Sequence, residues 1–164
     1  MLRRTDAGLV DDAAADAALY QQHAPRLMAL AAALAGPSHA EDVVAAAVLA
    51  AITSRGWRTV AHPGAYLTRA VVNEVRTAHR RALRREARER RYAARGTTTF
   101  ADVDPAPEVL AALAGLPLRQ RAVVFLTYWS DLTPSAVATE LAITEGSVRK
   151  HLARARASLR EELR

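Results

Sequence analysis

Glycine and proline gather into five clusters in this sequence: AGPSHAED at 35–42, SRGWRTVAHPGAY at 54–66, ARGTTTFADVDPAPE at 94–108, AGLPLRQ at 114–120 and SDLTPS at 130–135. Clusters of this kind end regular elements, because proline lacks an N–H and glycine is not held to one backbone region. The stretches between them repeat with helical spacing, and none alternates convincingly as a strand does. The fold class this predicts is all-α. The central cluster is the longest. From Gly96 to Pro107 it holds three consecutive Thr, two Asp and two Pro with no apolar period, as a flexible linker does. The expected organisation is therefore a tail over 1–14, a helical module over 15–93, a linker over 94–107 and a second helical module over 108–164.

In the first module Leu19, His23, Leu27, Leu30 and Leu34 recur at intervals of three and four, the mark of an amphipathic helix. Ser38 and Glu41 make a capping box for the next helix, AEDVVAAAVLAAI. A third helix is expected from about Pro63 to Tyr92, with Val71, Val72 and Val75 along one side and a second half that is almost entirely charged. In the second module VVFLTYW (123–129) could pass for a strand, but the Leu-Pro-x-x-Gln lead-in and the spacing of Leu113, Val123 and Leu126 suit a helix better. Tyr128 and Trp129 are expected in its core.

Charge narrows the function. The 164 residues carry 23 Lys plus Arg against 17 Asp plus Glu, a formal net charge of +6, which favours an anionic partner. There is no Cys, which excludes disulfides, thiolate metal sites and a Cys nucleophile. His23, His39, His62, His79 and His151 show no metal-ligand spacing. No paired acids, nucleophile with a base, or phosphate-binding glycine loop is present, so neither an enzyme nor a cofactor site is expected. No apolar run reaches the length of a membrane span, and the N-terminal residues are acidic where a signal peptide is apolar. A cytoplasmic protein is expected.

The C-terminal stretch carries the sharpest pattern. Thr133 is a good N-cap with Pro134 at the first helical position, so a short helix runs to about Leu141 with Val137 and Leu141 facing inward. Thr144 then caps a longer helix in which Val148, Leu152, Ala155 and Leu159 form one buried stripe. Helix, tight turn, longer helix is the helix-turn-helix plan. The residues left outside are Glu145, Gly146, Ser147, Arg149, Lys150, Ala153, Arg154 and Arg156. Gly146 and Ser147 permit close approach to base edges, Arg149 and Lys150 can donate to guanine or phosphate, and Glu145 can accept from a cytosine amino group. A solvated amphipathic helix and a protein-docking unit have the same outline. The Arg run over 76–91 is likewise either a solvated face or a cationic track, and Trp57 either a core anchor or an exposed stacking surface.

The stretch ALAGLPLRQRAVVFLTYWSDLTPSAVATELAITEGSVRKHLARARASLREEL resembles, along its whole length, the promoter-binding region 4 of extracytoplasmic-function RNA polymerase sigma factors. Leu116, Pro117, Arg121, Tyr128, Asp131, Leu132 and Thr133 stand at that family's marks, as do Ile143, Thr144, Gly146, Ser147, Val148 and Leu152 in its turn and recognition helix. Ala142 departs, since the family usually has Gly there, at a position where a left-handed backbone is expected. LYQQHAPRLMALAAALAGPSHAEDVV and HPGAYLTRAVVNEVRTAHRRALRRE are similar to the helices of the family's region 2, and the Ala- and Arg-rich composition fits an actinobacterial member.

What the resemblance implies is a sigma factor that binds core RNA polymerase and directs promoter-specific initiation. Thr144, Glu145, Gly146, Ser147, Arg149, Lys150 and Arg154 would meet the upstream promoter element. Trp57, Arg69, Asn73, Arg76, Arg80 and Arg81 would meet the melted downstream element, with Arg84 and Arg85 on phosphates. Glu41, Asp42, Val44, Ala45 and Val48 would face polymerase, although Ala45, Ala46, Ala47, Val48, Ala50 and Ile52 replace the polar and aromatic series many members carry there. The implied partners are core polymerase, promoter DNA and an anti-sigma protein, with the free chain a monomer. A divergent helix-turn-helix regulator working without polymerase is the alternative; it needs a dimer interface, and the sequence offers no obvious dimer helix.

Overall fold

The computed structural model describes residues 6–89 and 107–162, with side chains described over 12–81 and 109–161. Among the described residues every regular element is helical: α1 (Asp6–Ala35), α2 (Pro37–Ile52), a 3₁₀ turn (Trp57–Thr59), α3 (Pro63–Glu89), α4 (Pro107–Ala114), α5 (Leu118–Tyr128), α6 (Pro134–Leu141) and α7 (Glu145–Glu162). The expected linker lies outside the described residues apart from Pro107, which opens α4.

Helices α1, α2 and α3 pack on one another. Their seam buries Leu27, Leu30 and Leu34 from α1, Val43 and Val44 from α2, and Leu67, Val71 and Val75 from α3. Between these large residues sit Ala31, Ala32, Ala40, Ala47 and Ala51, all nearly inaccessible. Small side chains there let the helix axes approach closely, so the alanines carry packing information beyond their helix propensity. One glycine does the same at a crossing. A Cβ on Gly64, at the start of α3, would stand 2.7 Å from the His23 ring of α1.

The second module packs α5 against α7 and α6, and α6 against α7. Val123, Phe125 and Leu126 of α5 meet Val137 of α6 and Val148 and Leu152 of α7 in its core. The two modules also touch: α1 lies against α4 and α5, and α3 against α6. Arg26 of α1 is ion-paired with Glu140 of α6 and donates to Ser130 Oγ at 3.2 Å. Arg121 of α5 donates to the backbone oxygens of Leu34 at 2.7 Å, Ala114 at 2.8 Å and Leu116 at 3.0 Å. This guanidinium thereby satisfies carbonyls at the C-terminal ends of α1 and α4, which a helix leaves without partners.

Three expectations are corrected. Helix α1 already runs from Asp6, inside the segment expected as a tail, and Asp12 and Asp16 both pair with Arg58 across the module. The Ser38–Glu41 capping box does not form. The helix starts two residues earlier, with Gly36 at φ 90° as N-cap and Pro37 at its first position, which places Ser38 inside the first turn with its Oγ on His39 Nδ1. Tyr128 and Trp129 are surface residues, 52% and 39% exposed. The core they were expected to fill is closed by Phe125 and Leu126, and the Tyr128 ring carries the Arg156 guanidinium with its OH accepting from Arg156 Nε at 3.0 Å.

Candidate nucleic-acid interface

The helix-turn-helix forms as its sequence spacing requires. Thr133 Oγ1 accepts from the Ala136 N–H at 3.2 Å, with Pro134 at the first turn. Helix α6 stops at Ala142, which adopts a left-handed backbone (φ 51°, ψ 50°). The N–H of Ile143 returns to Ala138 O at 3.0 Å and that of Ala142 to Thr139 O at 3.4 Å. These are the bonds of a Schellman cap, in which glycine is the usual residue at the left-handed position. The Cβ of Ala142 makes the conformation costly by about 1–2 kcal/mol.

Thr144 caps α7, its Oγ1 accepting from the Ser147 N–H at 3.2 Å and sharing a hydrogen bond with Ser147 Oγ at 2.9 Å. Val148, Leu152 and Ala155 are buried and Leu159 half-buried, which turns the opposite face outward. Thr144, Glu145, Gly146, Arg149, Lys150 and Arg154 are all exposed on it, while Ser147 is half-buried because its hydroxyl is held by the cap. Arg149 reaches back to Glu145 at 3.5 Å, a surface i, i+4 pair worth little and easily exchanged for a ligand. His151 lies on the inner shoulder of α7. Burial, with the charges of Arg119, Arg154 and Lys150, holds its imidazole below the usual 6.5, and its Nδ1 has no partner among the described residues.

On α3, Arg69, Asn73, Arg76 and Arg80 follow at four, three and four residues and so share one face. Asn73, Arg76, Arg80 and Arg81 are exposed. Arg69 is half-buried, its guanidinium 5.9 Å from the Tyr66 ring centre and donating to Thr139 O of α6 at 3.1 Å. Arg81 pairs loosely with Glu74 at 3.6 Å. The side chains of Arg84 and Arg85 lie outside the described residues.

Two residues of the expected interface stand elsewhere. Trp57 is 6% exposed; its Nε1–H donates to Asp16 Oδ1 at 2.8 Å and its ring meets Tyr66 at 5.9 Å, so the indole anchors the turn rather than offering a stacking face. Val44 is 1% exposed and belongs to the α1–α2–α3 core, which leaves it no surface for a partner. Around it Glu41, Asp42 and Ala45 are exposed and Val48 half-buried. Sequence reasoning overlooked Leu49, 60% exposed on the same helix; an apolar residue outside the inward repeat was its signal. It also overlooked Arg26 and Arg58, whose partners are distant in sequence.

A capped, outward-facing cationic helix in a helix-turn-helix, beside a second helix with a basic face, defines a helical DNA-binding protein of two modules. The description "Sigma-70 region 2" matches residues 19–86 and "Sigma-70, region 4" residues 107–159. No curated protein matched the sequence. Among solved structures the fold is similar to the sigma factor RpoE from Bartonella quintana, determined in complex with the anti-sigma factor NepR, with a TM-score of 0.69, 22% identity, and coverage of 88% of this chain and 93% of that one. The chain belongs to the sigma-70 family, in its extracytoplasmic-function group, with region 2 over residues 19–86 and region 4 over residues 107–159. It is a sigma factor that directs transcription initiation with core RNA polymerase on promoter DNA. No described helix is long and apolar enough to cross a membrane.

Proposed function

We propose that this sigma factor reads the upstream promoter element with the first turns of α7 and captures the melted downstream element along α3. The observation that carries the reading is the outward row of Glu145, Gly146, Arg149 and Lys150, presented at the capped start of a helix whose other face is locked in the core. Arg149 and Lys150 donate to base edges or adjacent phosphates, Glu145 accepts from a cytosine amino group, and Arg154 holds a phosphate further along the groove. On α3, Asn73, Arg76, Arg80 and Arg81 track the single strand, with Arg69 behind them. Trp57 supports this surface from beneath. Glu41, Asp42, Ala45 and Val48, with exposed Leu49 beside them, form the polymerase-facing side of α2.

In the free chain, the α3 face borders the turn of the helix-turn-helix, so the monomer holds its DNA surfaces closed until polymerase parts the modules. An anti-sigma protein would act by keeping the promoter surfaces from polymerase; the similar RpoE fold is one seen with such a partner. The protein works in the cytoplasm, beside polymerase, and itself catalyses no reaction. Transcription by purified core polymerase on a genomic fragment pool tests this: starts sharing two spaced elements and appearing only with the protein are expected, and an unchanged set of starts would contradict it.

A further inference from the structure

Where α3 meets the second module a crevice of about 250 Å³ opens. Its walls carry Arg69, Asn73 and Arg76 from α3, and Arg119 from the first turn of α5. Its floor is apolar, with Val72 on one side and Ala122 and Ile143 on the other, and no carboxylate lines it. Arg76 and Arg119 have no ion-pair partner among the described residues. Both are exposed; like charges lining one crevice repel, and an anion placed between them reverses the sign of the interaction.

We infer that this crevice binds a small phosphorylated anion, held by the guanidiniums of Arg76 and Arg119 with the Asn73 amide beside them. Guanidinium forks match phosphoryl oxygens in geometry as well as charge. The volume lies below the usual range for whole nucleotide or drug-sized ligands, about 300–1,000 Å³, and suits one or two phosphoryl groups. Only the closed arrangement brings both walls together, so the anion stabilises that state and withholds the α3 face from DNA. This rests on the proposed role of α3 in strand capture. Phosphoryl groups could also arrive as the backbone of single-stranded DNA.

The test is thermal unfolding of the full chain with millimolar sodium pyrophosphate against sodium chloride of equal ionic strength, and in parallel with a short unphosphorylated single-stranded oligonucleotide. Pyrophosphate should raise the midpoint by about 2 °C or more. Arg119→Gln, at an exposed helix start outside the proposed promoter contacts, should weaken pyrophosphate binding about tenfold while keeping its own midpoint. Arg160→Gln, a cation outside the crevice, should leave binding unchanged. No pyrophosphate shift, or a shift equal in Arg119→Gln and wild type, overturns the inference. So does an Arg119-dependent shift with the oligonucleotide alone, which would assign the crevice to the DNA track. Transcription by the wild-type chain without added anion is a separate reading, so loss of the anion site and loss of sigma activity are told apart.

Discussion

At residue scale, Ala142 holds a left-handed backbone that a Cβ disfavours. Its left-handed backbone closes the turn that sets the angle between α6 and α7, and a Cβ is tolerated there because two N–H bonds and the packed helices fix it. Ala142→Gly should therefore raise stability by about 1 kcal/mol, measured by denaturant unfolding, without altering DNA preference. His151 gives a pH signature. Its imidazole is held below 6.5 in the folded protein, so the unfolded chain binds that proton more readily. Its contribution to stability is present above pH 6.5 and is lost as pH falls below that value toward the depressed folded-state value. The unfolding midpoint should decline over that window, and His151→Gln should flatten the decline. For the DNA contacts, Arg149→Ala should cost about 1–3 kcal/mol on the preferred upstream element and relax its base preference, whereas Arg154→Ala should weaken all sequences alike and reduce the salt slope by about 1. Binding titrations at several salt concentrations separate the two.

At the scale of elements, the helices and their order were legible because each carries its own period and its own punctuation. The Val148, Leu152, Ala155 stripe and the Thr133 and Thr144 caps are local signals, and they placed the helix-turn-helix almost residue by residue. What depended on distant partners was not legible. The Asp16 to Trp57 bond spans 41 residues, and it holds the indole inward. Ser38 was misread because Gly36-Pro37 start α2 by themselves, leaving the hydroxyl nothing to cap. Val44 was read as surface because alanine around it conceals which side of α2 is apolar; burial of Val43, Val44 and Ala47 settles the side. The Asp16 anchor predicts that Asp16→Ala leaves a buried indole N–H without its partner. A destabilisation of about 1–3 kcal/mol is expected, seen as a lower midpoint and greater solvent quenching of Trp57 fluorescence in a Trp129→Phe background.

Across the whole molecule, the two modules are joined by few but specific bonds: Arg26 to Glu140 and Ser130, Arg69 to Thr139, Arg121 to Leu34. In the proposed reading these bonds hold the α3 face beside the helix-turn-helix, so their strength sets how closed the free chain is. Arg26→Ala removes a contact that spans 114 residues without touching either proposed DNA face. It should enlarge the radius of gyration in small-angle scattering and increase binding to promoter duplex in the absence of polymerase. In the proposed reading the outward cations of α7 and α3 act together on one promoter. The most direct measurement is transcription by purified core polymerase on a genomic fragment pool, with wild type and a Lys150→Ala, Arg149→Ala double variant, and sequencing of transcript starts. The account predicts starts that need the wild-type chain, share an upstream and a downstream element at fixed spacing, and lose selection of the upstream element in the double variant. Wild-type starts identical to those of core polymerase alone, or an upstream element still selected by the double variant, would contradict it.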